Sequence, residues 1–375
     1  MIFVVISINT KIYSIDLSNE IINQTGENFG ISDFVKETDK YAEDFFEGQS
    51  ISKILNSAIS GKVDNSSIIK RVLKIFANEI LKTIKTLVGV LVIVLIHSIL
   101  KNVADGLENS DISNIIYFVQ YILIISLVMN NFSDIVISVK NTINNLVGFM
   151  NTLIPILITL MIYTGSVVTS GLIQPIILFV VEFVANVLNT IILPAISIIT
   201  ALIIISKISD KVQIGKLASF MKSSIVWFLS IILTIFVGVV SLEGTLTSSV
   251  DGITAKTAKA AVSSLIPVVG KILGDSVDSV LGCGLILKNA LGVVGVLVII
   301  GICIIPIIKL TTLSIMYSLS SAIIEPLADK KIIKLLEEFS GIFKLLLAIL
   351  CSVTVLLIIG VTLVVKISNG GMMYR

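Results

Sequence analysis

The stretch LILKNALGVVGVLVIIGICIIPIIKLTTLSIMYSLSSAIIE, residues 285–325, decides the fold class of this 375-residue chain. It is almost uninterrupted apolar sequence and is about twice as long as a membrane-spanning helix needs to be, since a span takes about 20 apolar residues. The stretch therefore predicts two consecutive transmembrane helices, 285–304 and 305–325.

The composition of the whole chain agrees with this prediction. Hydrophobic residues make up 55% of the chain, charged residues only 14%, and the mean hydropathy is +1.05, whereas about 25% of the residues in a soluble domain are charged. We therefore predict an all-α, polytopic helical membrane protein with about eight to ten spans. The remaining candidate spans are 84–100, 114–130, 146–164, 167–188, 189–206, 223–242 and 342–365.

The N-terminal part of the chain, up to residue 83, is polar by comparison. Residues 1–15 begin with a short apolar run that lacks a preceding basic residue, so they are either a truncated signal peptide or a disordered end. Residues 16–83 are first acidic and then basic, and their apolar spacing predicts one or two short amphipathic helices followed by a basic amphipathic helix that leads into the membrane. Residues 84–145 then hold two leading spans and a linker.

A repeated proline pattern indicates an internal duplication. Leu-Ile-Pro at 153–155 precedes Pro194, and Leu-Ile-Pro at 265–267 precedes Pro306 at the same spacing. Many transporter folds contain such repeats; the alternative is that two short triplets recur by chance in an isoleucine-rich chain. The boundaries that we assign are repeat 1 at 146–242, a loop at 243–257, repeat 2 at 258–366 and a tail at 367–375.

Lysines predict the orientation in the membrane. Loops 207–222 and 328–341 are rich in lysine, so the positive-inside rule places both in the cytoplasm. Residues 261–283 are too polar for a lipid-facing span and are either a buried span or a re-entrant segment. The crossing count favours a third crossing beside 285–304 and 305–325, and it places the N-terminal segment outside.

Ionisable residues cluster between 251 and 292. Lys256 and Lys259 share one helix face, as do Asp275 and Asp278. Charged groups at membrane depth are costly and commonly line a pathway or pair with one another, but a solvated loop with structural ion pairs explains them equally well. The candidate pathway or interaction residues here are Asp251, Lys256, Lys259, Pro267, Gly270, Asp275, Asp278, Lys288 and Asn289.

Three further positions stand out. Glu182 lies in the middle of a predicted span and is either functional or a protonated carboxyl hydrogen-bonded to a neighbouring helix. Glu325 and Pro326 close a span, where a proline ends or kinks the helix.

The sequence offers no catalytic, metal or cofactor site. The chain has one histidine, His97, and three cysteines without metal-ligand spacing. An intramembrane aspartyl protease needs Gly-x-Gly-Asp, but Ile272 replaces the first glycine before Gly274 and Asp275. A net charge of +2 also gives no reason to expect nucleic-acid binding. We therefore expect a protein without enzymatic activity, metal or cofactor, whose surroundings are the lipid bilayer.

The string DGITAKTAKAAVSSLIPVVGKILGDSVDSVLGCGLILKNALGVVG, which begins at Asp251, closely resembles the stage III sporulation protein AE family of endospore-forming bacteria. The resemblance extends over about residues 80–366. It implies a multi-pass protein of the mother-cell membrane around the forespore, often with a signal peptide, in a secretion-like channel complex required for forespore development after engulfment. The implied partners are the other stage III sporulation AA–AH proteins, among them an ATPase and ring-forming proteins.

Two alternatives remain open beside this function. A secondary transporter for a small solute would explain the repeat and Glu182, and a structural anchor would need its membrane charges only for pairing.

Overall fold

The computed structural model of the chain describes residues 30–46, 51–60, 65–106, 110–208, 214–238 and 269–370. Throughout these ranges the backbone is helical or forms short turns, so the predicted all-α class is confirmed. The helices are α1 Ile31–Phe46, α2 Ile51–Ile59, α3 Asn65–Gly106, α4 Ser110–Tyr163, α5 Val167–Val187, α6 Leu193–Ile208, α7 Gly215–Gly238, α8 Val269–Ile324 and α9 Lys330–Gly370.

Six helical stretches of the described chain are long and apolar enough to cross a membrane, which makes the protein multi-pass. Three pairs of predicted spans are single helices, and this corrects the expected eight to ten spans to six for the described residues. Spans 114–130 and 146–164 both belong to α4. Spans 285–304 and 305–325 both belong to α8. Spans 167–188 and 189–206 are joined because a π-helical segment connects α5 directly to α6.

The polar middle of α4 stays helical because its apolar residues keep helical spacing. Phe132, Ile135, Val139, Ile143 and Leu146 are all buried and follow one another at intervals of three or four residues. These residues continue the core-facing stripe across the polar segment, and most of the asparagines and charged residues occupy the other face. The polar composition therefore marks an exposed face rather than a loop.

Helix α4 ends in a glycine turn. Gly165 has φ +89°, and the N–H of Ser166 donates to the Met161 carbonyl at 2.9 Å. A residue with positive φ just after the last helical turn is a common helix C-cap, and glycine adopts it without steric cost. The chain reverses here into α5.

Helix α8 runs without a break through Pro306. Prolines are tolerated inside membrane helices because neighbouring groups satisfy the freed backbone. The expected third crossing at 261–283 is therefore wrong for its described part: residues 269–283 are the first turns of α8, and a continuous helix cannot reverse as a re-entrant hairpin would. Helix α8 ends at Ile324, and Glu325 and Pro326 lie exposed in the turn before α9.

Side-chain contacts show that neighbouring helices run antiparallel. Asn131 of α4 donates to the Tyr317 hydroxyl of α8 at 2.9 Å, and Tyr163 at the end of α4 lies against Gly284 near the beginning of the apolar part of α8. Close packing continues between these points, since a Cβ added at Gly295 would lie 2.7 Å from Leu153 Cδ2. In α8 and α9, the hydroxyls of Ser314 and Ser340 lie 3.3 Å apart.

The helix ends with lysines gather at one end of the bundle, which we call the lysine end. The Tyr117 hydroxyl near the start of α4 donates to the Lys207 carbonyl of α6 at 3.0 Å, and the Lys331 ammonium of α9 lies 5.6 Å from the centre of the Tyr117 ring. His97 of α3 contacts Asp329, which precedes α9, at 3.2 Å. Loops 207–222 and 328–341 thus lie on the same side in their described parts, as predicted.

The positive-inside rule places the lysine end in the cytoplasm. One crossing by α7 and one by α8 then connect the two lysine-rich loops, instead of the four crossings that the sequence suggested. The turn at Thr164–Ser166 and the helices α1 and α2 lie outside in this topology.

The N-terminal helices α1 and α2 lie where the sequence predicts one or two short amphipathic helices. Phe34 of α1 is buried, with its ring 6.3 Å from that of Phe149 of α4. The Asp39 carboxylate accepts the backbone N–H of Ile51 at 3.0 Å, which ties the start of α2 to α1. The basic segment after residue 65 continues directly into the first span as α3. The boundary of the extramembrane segment predicted at 16–83 stays a prediction, because α3 runs without a break from Asn65 into the apolar residues of the first span.

Several predicted boundaries lie outside the described residues. These are the possible signal peptide at 1–15, the loop at 243–257 and the end of the tail at 371–375. The internal duplication stays a prediction, with Pro194 and Pro306 each inside a helical segment.

Candidate functional site: a polar cleft between α4 and α5

A row of polar residues runs along the exposed face of α4, which is unusual for an otherwise apolar helix. Its members are all exposed: Asn130, Asp134, Lys140, Asn141, Asn144, Asn145 and Asn151.

The polar row of α4 meets a second polar row, on α5 and the π-helical segment. Asn151 Nδ2 donates to Glu182 Oε1 at 3.0 Å, and Asn189 Nδ2 donates to Asn144 Oδ1 at 2.9 Å. One turn away from Glu182, Asn186 Oδ1 accepts the hydroxyl of Thr190 at 2.9 Å. Amide and carboxylate groups therefore hold the two helices together where small apolar side chains would otherwise do so.

The two rows line an open cleft of about 710 Å³, which we call the Glu182 cleft. Its polar wall is formed by Asn144, Glu182, Asn186 and Asn189, and its apolar edge by the stacked rings of Phe179 and Phe183, whose centroids lie 5.9 Å apart. An open cleft with one carboxylate, several amides and an aromatic edge suits a cationic or hydrogen-bond-donating group next to an apolar one.

One hydrogen-bond acceptor in the cleft has no donor among the described residues. Asn189 Oδ1 is buried and makes no hydrogen bond to any described residue. A buried polar atom without a partner costs about 1–3 kcal/mol, so an incoming donor at this position would be favourable.

The depth of the cleft follows from the helix rise of about 1.5 Å per residue. At this rise, Asn189 lies about 27 Å along the helix from Lys207 at the lysine end. The cleft thus lies toward the end of the bundle opposite the lysine end, and Glu182 is further from the lysine end than Asn189.

Glu182 is predicted from the sequence to lie mid-span, as a functional group or as a protonated carboxyl bonded to a neighbouring helix. In the structure it is exposed, and its partner Asn151 belongs to the neighbouring helix α4.

The other sequence-predicted residues lie elsewhere. Asp251, Lys256, Lys259 and Pro267 are outside the described residues, whereas Gly270, Asp275 and Asp278 belong to the first turns of α8. Lys288 is fully buried, and the adjacent Asn289 is partly buried. Glu325 and Pro326 lie at the lysine end, about 55 Å further along α8 than Lys288, so the structure does not bring these two groups together.

Sequence reasoning missed the asparagines of the cleft. Their signal was present: Glu182, Asn186 and Asn189 are spaced i, i+4, i+7, and Asn144 and Asn151 are spaced i, i+7. These intervals place each set on one helix face.

No cluster of three or more histidine, cysteine or acidic side chains that could hold a metal occurs in the ranges that the structure describes. At the lysine end, His97 lies 3.2 Å from Asp329, and Lys222 forms an ion pair with Glu338 at 2.5 Å.

Comparisons with known proteins agree with the sequence resemblance. A family model described as stage III sporulation protein AE matches residues 49–368. The chain is 29% identical to stage III sporulation protein AE of Bacillus subtilis (strain 168) over 298 residues, which cover 80% of this chain and 75% of the relative. No solved structure shows a significant match.

Proposed function

The chain belongs to the stage III sporulation protein AE family, and from this we propose that it is a membrane component of the sporulation channel complex that links mother cell and forespore. The observation that carries the proposal is the family match, which spans residues 49–368 and therefore every described helix from α2 to the greater part of α9. The six apolar helices agree with a role inside a membrane.

In this proposal the protein resides in the mother-cell membrane around the engulfed forespore and works without catalysis. It is a pathway or platform, and other stage III sporulation AA–AH proteins, including an ATPase and ring-forming partners, supply the energy and the extracellular conduit. Two surfaces suit such assembly. The lysine end faces the cytoplasm and offers charged loops, and the Glu182 cleft lies toward the opposite end of the bundle.

The experiment is an in-frame deletion in the spore-forming source, with microscopy and reporters for forespore-specific transcription. The expected result is normal growth with forespores that stall or collapse after engulfment, and recovery when the full chain is returned. Normal spores would contradict the proposal. A defect in vegetative solute handling would instead support the alternative, a secondary transporter for a small solute.

Site variants in the same strain separate a pathway from a platform. Asp275→Asn, Asp278→Asn and Lys288→Met remove charge from the first half of α8, and Lys344→Met removes an exposed charge from α9 as a control. A pathway predicts that the α8 variants lower spore yield at normal protein level and that the control does not. Unchanged spore yield in all four variants would contradict the pathway.

A further inference from the structure

We propose that the chain self-associates head-to-tail in the plane of the membrane, with the basic face of α3 in one copy packed against the Glu182 cleft of the next. The basic face consists of Ile69, Lys70, Leu73 and Lys74, which are all exposed. This inference concerns self-association alone and stands independently of the sporulation role.

The two surfaces lie at the same height in the bundle. Helix α3 is antiparallel to α4, because Asn131 Nδ2 lies 3.4 Å from Thr86 Oγ1 and a Cβ added at Gly89 would lie 3.0 Å from Leu127 Cδ1. When this antiparallel pairing is continued toward the start of α3, Lys74 and Lys70 lie at the level of residues 143–147 of α4. Asn144 at that level is the α4 partner of Asn189 in the cleft.

Equal height matters because copies inserted with the same topology are related by rotation about the membrane normal. Such a rotation moves no residue up or down, so a surface meets only surfaces at its own height. A two-fold arrangement about the same axis would place a surface against itself and bring Lys70 and Lys74 against their own copies. Like charges repel, whereas a head-to-tail contact joins two different surfaces and continues from copy to copy.

The chemistry of the two surfaces is complementary. Lysine ammonium groups are donors without acceptor capacity, and the cleft presents the Glu182 carboxylate and the unfilled acceptor Asn189 Oδ1. The apolar parts match as well: Leu73 is 61% exposed on the basic face, and Phe179 is 66% exposed at the cleft edge. Polar groups on apolar helices bind water, ions or one another, and the two surfaces of this chain satisfy each other.

Disulfide cross-linking in native membranes tests the contact. The chain carrying both Lys74→Cys and Asn186→Cys should form a ladder of dimers, trimers and higher species on mild oxidation. Each single variant should form no such ladder. When the two single variants carry different tags and are co-expressed, they should form mixed dimers only.

Two controls make the result specific. The parent chain reports the background of its own cysteines, of which Cys283 and Cys303 are buried. Lys74→Cys combined with Ser230→Cys, an exposed position on α7, should give no ladder beyond this background. A ladder of equal strength from that control, dimers from a single variant, or no ladder from the first pair would overturn the proposal.

A charge swap provides the second readout. In the chain that carries Lys74→Cys and Asn186→Cys, Glu182→Lys should abolish the ladder. Adding Lys70→Glu to Glu182→Lys should restore it. If Lys70 and Lys74 bind only anionic lipid headgroups, any cross-links that form do not depend on the charge at position 182. A ladder that Glu182→Lys leaves unchanged therefore also contradicts the contact.

Discussion

Single residues decide how closely the long helices approach. Leu153 of α4 packs where α8 carries Gly295, because a side chain there would collide with it: an added Cβ would lie 2.7 Å from Leu153 Cδ2. At Gly171 of α5 no atom lies within 4 Å of an added Cβ. The two glycines therefore have different roles although both lie inside apolar helices.

Gly295→Ala should lower the thermal unfolding temperature of the protein in detergent, since overpacking a close contact costs about 1–3 kcal/mol. Gly171→Ala is the matched control and should be neutral or stabilising by up to about 1 kcal/mol, because alanine loses less backbone entropy than glycine in a helix. Equal melting temperatures for the two variants would show that α4 and α8 do not pack at this depth.

The residues of the Glu182 cleft show what sequence reasoning reaches at this scale. Glu182 is recognisable because an isolated carboxylate in an apolar run is conspicuous. The cleft asparagines are not recognisable in this way, because asparagine is abundant in this chain. The importance of Asn144, Asn151 and Asn189 comes from their pairing between helices. Which side chains pair between two helices depends on how the helices are aligned with each other. The spacing of residues within one helix does not reveal that alignment.

The elements are predictable from the sequence in kind but not in length. The apolar runs identify nearly every membrane-crossing segment, and the spacing of apolar residues indicates the two N-terminal amphipathic helices. The sequence misses the joins between spans. It predicts a linker between the spans 114–130 and 146–164, whereas the buried stripe through Phe132, Ile135 and Val139 keeps α4 continuous. A window of mean hydropathy does not distinguish a loop from a helix with one polar face.

The continuity of α4 predicts the effect of a proline in its middle. Asn141→Pro should destabilise the protein by about 3 kcal/mol or more, because proline removes a helix hydrogen bond and its ring clashes with the preceding turn. Asn141→Ala removes the same exposed side chain and should have little effect. Thermal unfolding in detergent compares them, and tolerance of the proline would indicate a loop between two separate spans.

The ion pair between Lys222 and Glu338 predicts that α7 and α9 are coupled through their lysine-end turns. Both side chains are partly exposed, at 22% and 36%, so the pair contributes about 0.2–1 kcal/mol. Lys222→Glu should lower the unfolding temperature slightly, and Lys222→Glu combined with Glu338→Lys should recover most of the loss. If the double variant is no more stable than the single one, the two helices do not meet at this point.

At the scale of the whole molecule, the path of the chain decides which surfaces meet water on each side of the membrane. The C-terminal ends of α3, α6 and α8 lie at the lysine end, whereas the turn between α4 and α5 lies at the other end. The five separate spans that the sequence suggests before residue 207 would place residue 165 in the cytoplasm, whereas the three long helical stretches of the structure in that region place it outside. The lysine-rich loops have the same orientation in the predicted and the observed path. Two pairs of predicted spans before residue 207 are single helices, and removing two crossings leaves the following loop on the same side.

The location of the turn after α4 tests this path most directly. Val167→Cys and Leu327→Cys introduce thiols at positions that are 54% and 46% exposed at opposite ends of the bundle. In intact cells, a membrane-impermeant thiol reagent should label Val167→Cys at once and Leu327→Cys only after permeabilisation, with the parent chain as background. Labelling of Val167→Cys only after permeabilisation would contradict the six-helix path and return the chain to separate, shorter spans.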